Sequence, residues 1–442
     1  MAAERFACRT AAYGPRMEPT AHPRPDASRP DGAARPQGDR AARPAVTRLR
    51  LSAWKRHRGT VLPLAPLAFL AGPSGSGKSA ALEACTALAL LAGGAALGEV
   101  FPDAPACVPE RAKPDDQGRR GFRIGCTVDG PAGEIRLDLA VQAEPELRVV
   151  GERLTGRGLV LLSTALRDPR RRAVQAEWHT AGGGAVTRAP LPDDRLVTAL
   201  LPLRVAGRTA GQRLVLAAAE QVLVGLRSAF ACDPRPGRMR SPSAVEEGRL
   251  RNDCRNLAAV LRRTRGECGT RHALLVDAAR AGCSGGVEDL TARESADGRV
   301  RAVLDRGAGG RTPLERLGDG ELRFLALALV LLTGPGVLAV DPVAEVLPAR
   351  QLLTVLADGF DRCMDRRQTA ELTALAARMT ERGHVRMLGA MRAPECAAGV
   401  PGVRILELDR NGRLLPVPGQ TAESAGELPA ESKGGTALRH GE

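Results

Sequence analysis

The stretch Gly72-Pro73-Ser74-Gly75-Ser76-Gly77-Lys78-Ser79 fits the pattern G-x-x-x-x-G-K-[ST] of a phosphate-binding loop. Its flanks fit as well. Leu67-Ala68-Phe69-Leu70-Ala71 is a short continuous apolar run of strand type, and residues 78–91 carry Ala, Leu and Cys without a breaker until Gly93-Gly94. Glycines let successive backbone N–H groups close around phosphate oxygens, and the helix N-terminus adds positive partial charge. Lys78 can then reach the terminal phosphates, and the Ser79 hydroxyl can ligate magnesium. Gly72, Pro73, Ser74, Gly75, Ser76, Gly77, Lys78, Ser79 and Ala80 are therefore expected to hold ATP, with Mg2+ on Ser79 and Lys78 as a catalytic cation.

Such a loop works with a second carboxylate at the end of a neighbouring strand. Gly336-Val337-Leu338-Ala339-Val340 reads as a buried strand that runs into Asp341, which nominates Asp341 as the second metal ligand. The competing reading is an aspartate in an ordinary strand-to-loop turn, helped by Pro342. Upstream, Leu317-Gly318-Asp319-Gly320-Glu321 precedes a nearly all-apolar helix over 320–332. Glycines ahead of a helix offer a second phosphate contact, while Asp319 and the acids of the first turn also make a plain capping turn.

These three elements together resemble the ABC-type ATPases, more closely the SMC/RecF-like branch and its bacterial AAA-type ATP-binding relatives than the transporter cassettes. The resemblance covers about residues 47–408 and includes the opening Leu49-Arg50-Leu51-Ser52-Ala53-Trp54, Asn256-Leu257-Ala258-Ala259-Val260-Leu261 and the long gap from Ser79 to Leu317. It implies an α/β P-loop NTPase fold with an ABC-ATPase-like head, a mixed sheet flanked by helices and a second, partly helical lobe. It also implies a homodimer in which two heads sandwich ATP, with Gly318, Asp319, Gly320 and Glu321 of one head touching the terminal phosphate held by the other.

The sequence departs from that pattern at several positions. Gly318 stands where the family has serine, which removes a hydroxyl from the signature. The acidic strand of the family ends Asp-Glu-Pro, whereas Asp341 is followed by Pro342-Val343-Ala344-Glu345, so Glu345 could position the attacking water only if its loop bends back. After the strand expected at 385–391 the chain has Arg392-Ala393-Pro394 in place of the switch histidine, and His384 lies at the wrong end. Gln142 and Gln212 both compete for the Q-loop glutamine with the plain reading of surface residues. Nucleotide binding is thus better supported than hydrolysis, because water positioning and charge stabilisation supply most of the rate in phosphoryl transfer.

Working outward, the 442 residues exceed one typical domain of roughly 100 to 200. Residues 1–45, rich in Pro, Arg, Ala and Gly, read as a disordered arm, and 416–442 as a disordered tail. Between them 46–415 is expected to fold as one head: a P-loop lobe at 46–141, a second lobe at about 142–310, and the signature and acidic strand at 311–415. Turn residues at Asp129-Gly130-Pro131 and Glu144-Pro145 mark antiparallel strands over 121–128, 134–140 and 146–150. Helices are expected over 211–229, 256–265, 271–281 and 366–382, and strands over 300–304 and 403–408; none of the helices sustains heptads for a coiled-coil arm.

Of the 64 basic residues only Lys55, Lys78, Lys113 and Lys433 are lysine, a skew that GC-rich coding explains by itself. The net charge of +14 is compatible with DNA as an acidic partner, although solvated faces are the simpler reading of the arginine clusters. Ten cysteines without a C-x-x-C pair read as reduced thiols of a cytoplasmic protein. No apolar run reaches the roughly 18 residues of a membrane span, and no membrane partner is expected. Two functions follow: an ATPase whose cycle opens and closes a head dimer, or a nucleotide-dependent switch or scaffold with little hydrolysis. A small-molecule kinase would leave the signature-like turn without a use.

Overall fold

The computed structural model of the protein describes residues 43–179, 186–340, 346 and 351–416. The arm expected over 1–45 and the tail over 416–442 fall almost wholly outside them. Turn chemistry builds the first layer. β1 (Ala45–Trp54) and β2 (His57–Pro63) form a hairpin, and β4 (Arg120–Asp129), β5 (Ile135–Glu144), β6 (Arg148–Gly156), β7 (Leu159–Ala165), β8 (Ala173–His179) and β9 (Val186–Pro192) follow as a meander. Among the described residues they make an eight-stranded antiparallel sheet in the order β2-β1-β4-β5-β6-β7-β8-β9. Alternation sets its buried face: Ile135, Leu137, Leu139 and Val141 of β5 point inward.

The second layer is parallel. β3 (Leu67–Ala71), β10 (Ala229–Cys232), β15 (Leu353–Ala357), β16 (Val385–Ala390) and β17 (Val403–Glu407) align in the order β10-β15-β16-β3-β17. β3 is buried on both faces, as its unbroken apolar run requires. Ala68 and Leu70 belong to the core shared with the antiparallel sheet, whereas Leu67 and Phe69 belong to the core on the opposite face. A third, smaller sheet contains β11 (Ser243–Ala244), β12 (Asp289–Glu294), β13 (Arg299–Asp305) and β14 (Arg311–Pro313).

Helices fill the space between and behind the sheets. α1 (Lys78–Ala92) and α4 (Ala210–Arg227) pack on one another between the antiparallel and parallel sheets, with α2 (Leu97–Val100) and α3 (Val197–Arg204) beside α1. The short α5 (Pro236–Met239) leads toward α6 (Leu257–Glu267) and α7 (Gly269–Gly282). α7, α8 (Asp319–Leu332) and α9 (Arg366–Glu381) pack together on the far side of the parallel sheet. The molecule is therefore a mixed α/β fold in which the helix after the glycine loop is enclosed by two sheets. No helix among the described residues is long and apolar enough to cross a membrane.

Two expectations need correction. The strand read over 336–340 does not form: Pro335–Val337 is a 3-10 turn, and Leu338 makes a single bridge to Leu250. Gly334 and Pro335 shape that turn, and Pro335 has no N–H to give to a ladder. The strand that joins the parallel sheet there is β15, further along. The lobe divisions also cut through hydrogen-bonded sheet, since β5 runs across 141–142 and the β13–β14 pairing spans 310–311. β6 to β9 continue the sheet begun at β1, and β10 lies in the same sheet as the glycine loop's strand.

Candidate functional site

The loop from Gly72 to Gly77 leaves the end of β3 and enters α1. It is held from both sides. Gly72 has φ +140°, and a Cβ there would lie 2.4 Å from the carbonyl oxygen of Leu408 just beyond β17. Gly77 has φ +96°, and its Cβ would lie 2.5 Å from Nε2 of the buried His57. The His57 ring bridges the loop to the C-terminal hairpin, with Nε2 at 3.0 Å from Gly77 O and Nδ1 at 3.0 Å from Gly412 O. These two glycines are required by close neighbours as well as by backbone conformation.

α1 starts with no side chain capping it and no acidic residue in its first turn. Its leading N–H groups therefore keep their positive end open. Lys78 Nζ donates to Gly72 O at 2.7 Å and Pro73 O at 3.0 Å, folded back over its own loop. Burial lowers the Lys78 ammonium pKa from its ordinary value, with Arg392 pushing the same way and Asp358 and Asp361 opposing. The hydroxyl of Ser76 is buried without a hydrogen-bond partner.

The carboxylate beside this loop is Asp358. It follows β15, and the Ser79 hydroxyl donates to its Oδ1 at 3.0 Å. Asp341 and Glu345, the residues nominated from sequence, lie outside the described residues. The run Leu352-Leu353-Thr354-Val355-Leu356-Ala357 before Asp358 carried the same apolar-then-aspartate signal, so pattern alone offered two candidates. β15 lies in the parallel sheet two positions from β3, with β16 between.

Arg323 of α8 fixes the loop after β15. Its guanidinium is almost fully buried and donates to Gly359 O at 2.8 Å, Asp358 O at 3.2 Å, Asp233 Oδ1 at 3.3 Å and Pro234 O. A buried cation is tolerable when several oxygens surround it. The sequence reading took α8 as almost wholly apolar and passed over this residue. Asp361, three residues beyond Asp358, accepts from Arg392 N and Ala393 N, both at 2.8 Å. The exits of β15 and β16 are thereby tied together.

Lys55, Arg56, Gly72, Lys78, Ser79, Asp358, Arg362 and Arg392 are among the residues that line a cavity of about 800 Å³ over the glycine loop. Cations dominate its wall. None of Gly318, Asp319, Gly320 or Glu321 lines it. Gly318 is the N-cap of α8, Asp319 pairs with Arg240 at 2.7 Å, and Glu321 accepts from Gly318 N and Ser284 N at 3.3 and 3.0 Å. Neither glutamine considered for the Q-loop lies there either: Gln142 Nε2 donates to Glu146 O within its hairpin, and Gln212 caps α4.

No family model matches the sequence, and no characterised protein matches it in sequence. Similarity is found among solved structures. One is an Smc head bound to the C-winged helix domain of ScpA, 12% identical with a TM-score of 0.49, covering 84% of this chain and 98% of that one. Another is the Pyrococcus furiosus Smc head domain with an extended coiled coil bound to the C-terminal domain of ScpA, 12% identical with a TM-score of 0.47, covering 85% and 96%. The Thermotoga maritima SMC head domain is 13% identical with a TM-score of 0.40, covering 84% and 99%.

The residues present fit a magnesium-bound nucleotide. The uncapped α1 N-terminus suits phosphate oxygens, the Lys78 ammonium lies against the same loop, and the Ser79 and Asp358 oxygens form a hard donor pair of the kind magnesium takes. The position after Asp358 is Gly359, at φ +57°, so no carboxylate follows Asp358 directly.

Proposed function

We propose that this chain is an ATP-binding head of the SMC/RecF-like type, in which Gly72 to Ala80 hold the phosphates and Ser79 with Asp358 holds magnesium. The observation that carries the reading is the 3.0 Å contact between Ser79 and Asp358 beside an uncapped helix start. Bound magnesium would neutralise charge on the terminal phosphates. Lys78 would leave the Gly72 and Pro73 carbonyls to meet those phosphates, and Arg323 would keep the Asp358 loop in place. Gly318 to Glu321, away from the cavity, would meet a nucleotide only across a pair of heads.

Hydrolysis is expected to be slow, because Gly359 supplies no water-positioning carboxylate where one would follow Asp358. That favours a nucleotide-dependent switch, with pairing of two heads as its output, over a fast ATPase. The test is equilibrium binding of Mg-ATP with phosphate release measured on the same samples. Lys78→Ala should weaken binding by about ten- to a hundredfold, the worth of one charge-assisted contact. Equal affinity in the variant and the parent chain would rule the reading out.

A further inference from the structure

A second cavity, a basin of about 330 Å³, adjoins the one over the glycine loop. Arg56, Arg58, Arg111 and Arg413 line it with Lys55 and one carboxylate, Glu110. Arg58, Arg111 and Arg413 do not line the larger cavity, so most of the basin's cations lie outside the site described above.

These arginines come from three segments that the fold ties together. Arg56 and Arg58 flank His57 at the start of β2, and Arg413 follows Gly412 in the turn after β17. The buried His57 ring joins the two turns, with Nδ1 at 3.0 Å from Gly412 O, and the Thr60 hydroxyl donates to the same oxygen at 2.9 Å. Asp409 accepts from Asn411 N at 2.7 Å and Arg413 N at 2.8 Å, which shapes the second turn. On the other side Lys55 N donates to Cys107 O at 2.9 Å, anchoring the segment that leads to Arg111.

Lys55 is paired with Glu83, but Arg56, Arg58, Arg111 and Arg413 are exposed and have no acidic partner among the described residues. Like charges gathered by a fixed backbone repel one another, and the field between them favours a multivalent anion. Guanidinium forks match phosphate oxygens in particular. The basin has no apolar or aromatic side chain in its wall to receive a base or a lipid chain. Its volume also sits at the small end of ligand sites, which run from roughly 300 to 1,000 Å³.

We propose that this basin binds a short inorganic phosphate chain, of the pyrophosphate or tripolyphosphate class, at a site separate from the glycine loop. The proposal does not depend on what the glycine loop holds. Arg58, Arg111 and Arg413 supply the charge, and His57 is the positioning residue that keeps two of the three segments together.

Magnesium-free calorimetric titration of the full-length Lys78→Ala chain with tripolyphosphate tests this, since that variant weakens the competing site at the loop. One anion per chain should bind. Adding Arg58→Ala and Arg413→Ala should weaken it roughly ten- to a hundredfold, whereas adding Glu110→Gln should strengthen it about two- to fivefold. Both arginines are exposed, so their truncation removes no core contact, and the same pair of substitutions in the parent should leave Mg-ATP binding within about twofold. No tripolyphosphate binding in Lys78→Ala, or binding that ignores the two arginines, would overturn the basin and leave the P-loop reading intact. Loss of Mg-ATP binding with the two arginines would place them in the nucleotide site and overturn its separateness. ADP binding to Lys78→Ala more tightly than pyrophosphate, and lost with the arginines, would assign the basin to a nucleotide and contradict the proposal.

Discussion

The two glycine turns that precede helices, at Gly72–Gly77 and at Leu317–Gly318, look alike in sequence and differ in what they leave open. α1 begins without a cap or an acid, and a lysine stands at its first position. α8 begins with Asp319 and Glu321, whose oxygens are already engaged by Arg240, Gly318 N and Ser284 N. A third helix start closes the comparison: Glu152 on β6 accepts from Val197 N, Thr198 N and the Thr198 hydroxyl at the head of α3. Helix N-termini share one electrostatic tendency, and the side chains around them decide whether an external anion can use it. Of these three helix starts α1 is the open one.

The sharpest way to break the comparison is at Gly320. A Cβ there would lie 2.4 Å from Cys363 O, a backbone atom that cannot swing away. If the α8 turn serves the chain's own packing, Gly320→Ala should destabilise the fold by about 1–3 kcal/mol in denaturant unfolding, with nucleotide affinity of the remaining folded protein unchanged. Undiminished stability would mean that the turn is loose and free for another role.

A smaller effect is expected at α3. Burial raises the Glu152 pKa from 4.5 to about 7, against the pull of its three hydrogen bonds. The folded state therefore holds a proton that the unfolded chain releases, so this group's stabilisation is full below about pH 4.5 and is lost as pH rises through about 7. Glu152→Gln should flatten the pH dependence of the melting temperature between about pH 5 and 7 relative to the parent. A parental slope retained in the variant would assign the effect to other groups.

Much of this organisation can be read from local sequence. Leu67–Ala71, the glycine loop and α1 follow from an apolar run, fixed glycine spacing and an unbroken helical stretch, all within 30 residues. α8, α9 and β16 were legible for the same reason. The carboxylate that meets Ser79 was not. Val337–Val340 and Leu352–Ala357 are both followed by aspartate, and only pairing with β10, more than a hundred residues earlier, and with β16 makes the second run the strand. Arg323 escaped notice because an arginine inside an apolar helix gives no hint of the four oxygens that meet it.

The central claim is that Ser79 works with Asp358, and the direct measurement is the magnesium dependence of ATP binding in the parent, Asp358→Asn and Asp341→Asn. The account predicts that Asp358→Asn loses most of the gain in affinity that magnesium gives the parent, while Asp341→Asn keeps it. Loss of that gain in Asp341→Asn, with Asp358→Asn behaving as the parent, would contradict the assignment and return the metal site to the residue after Val340.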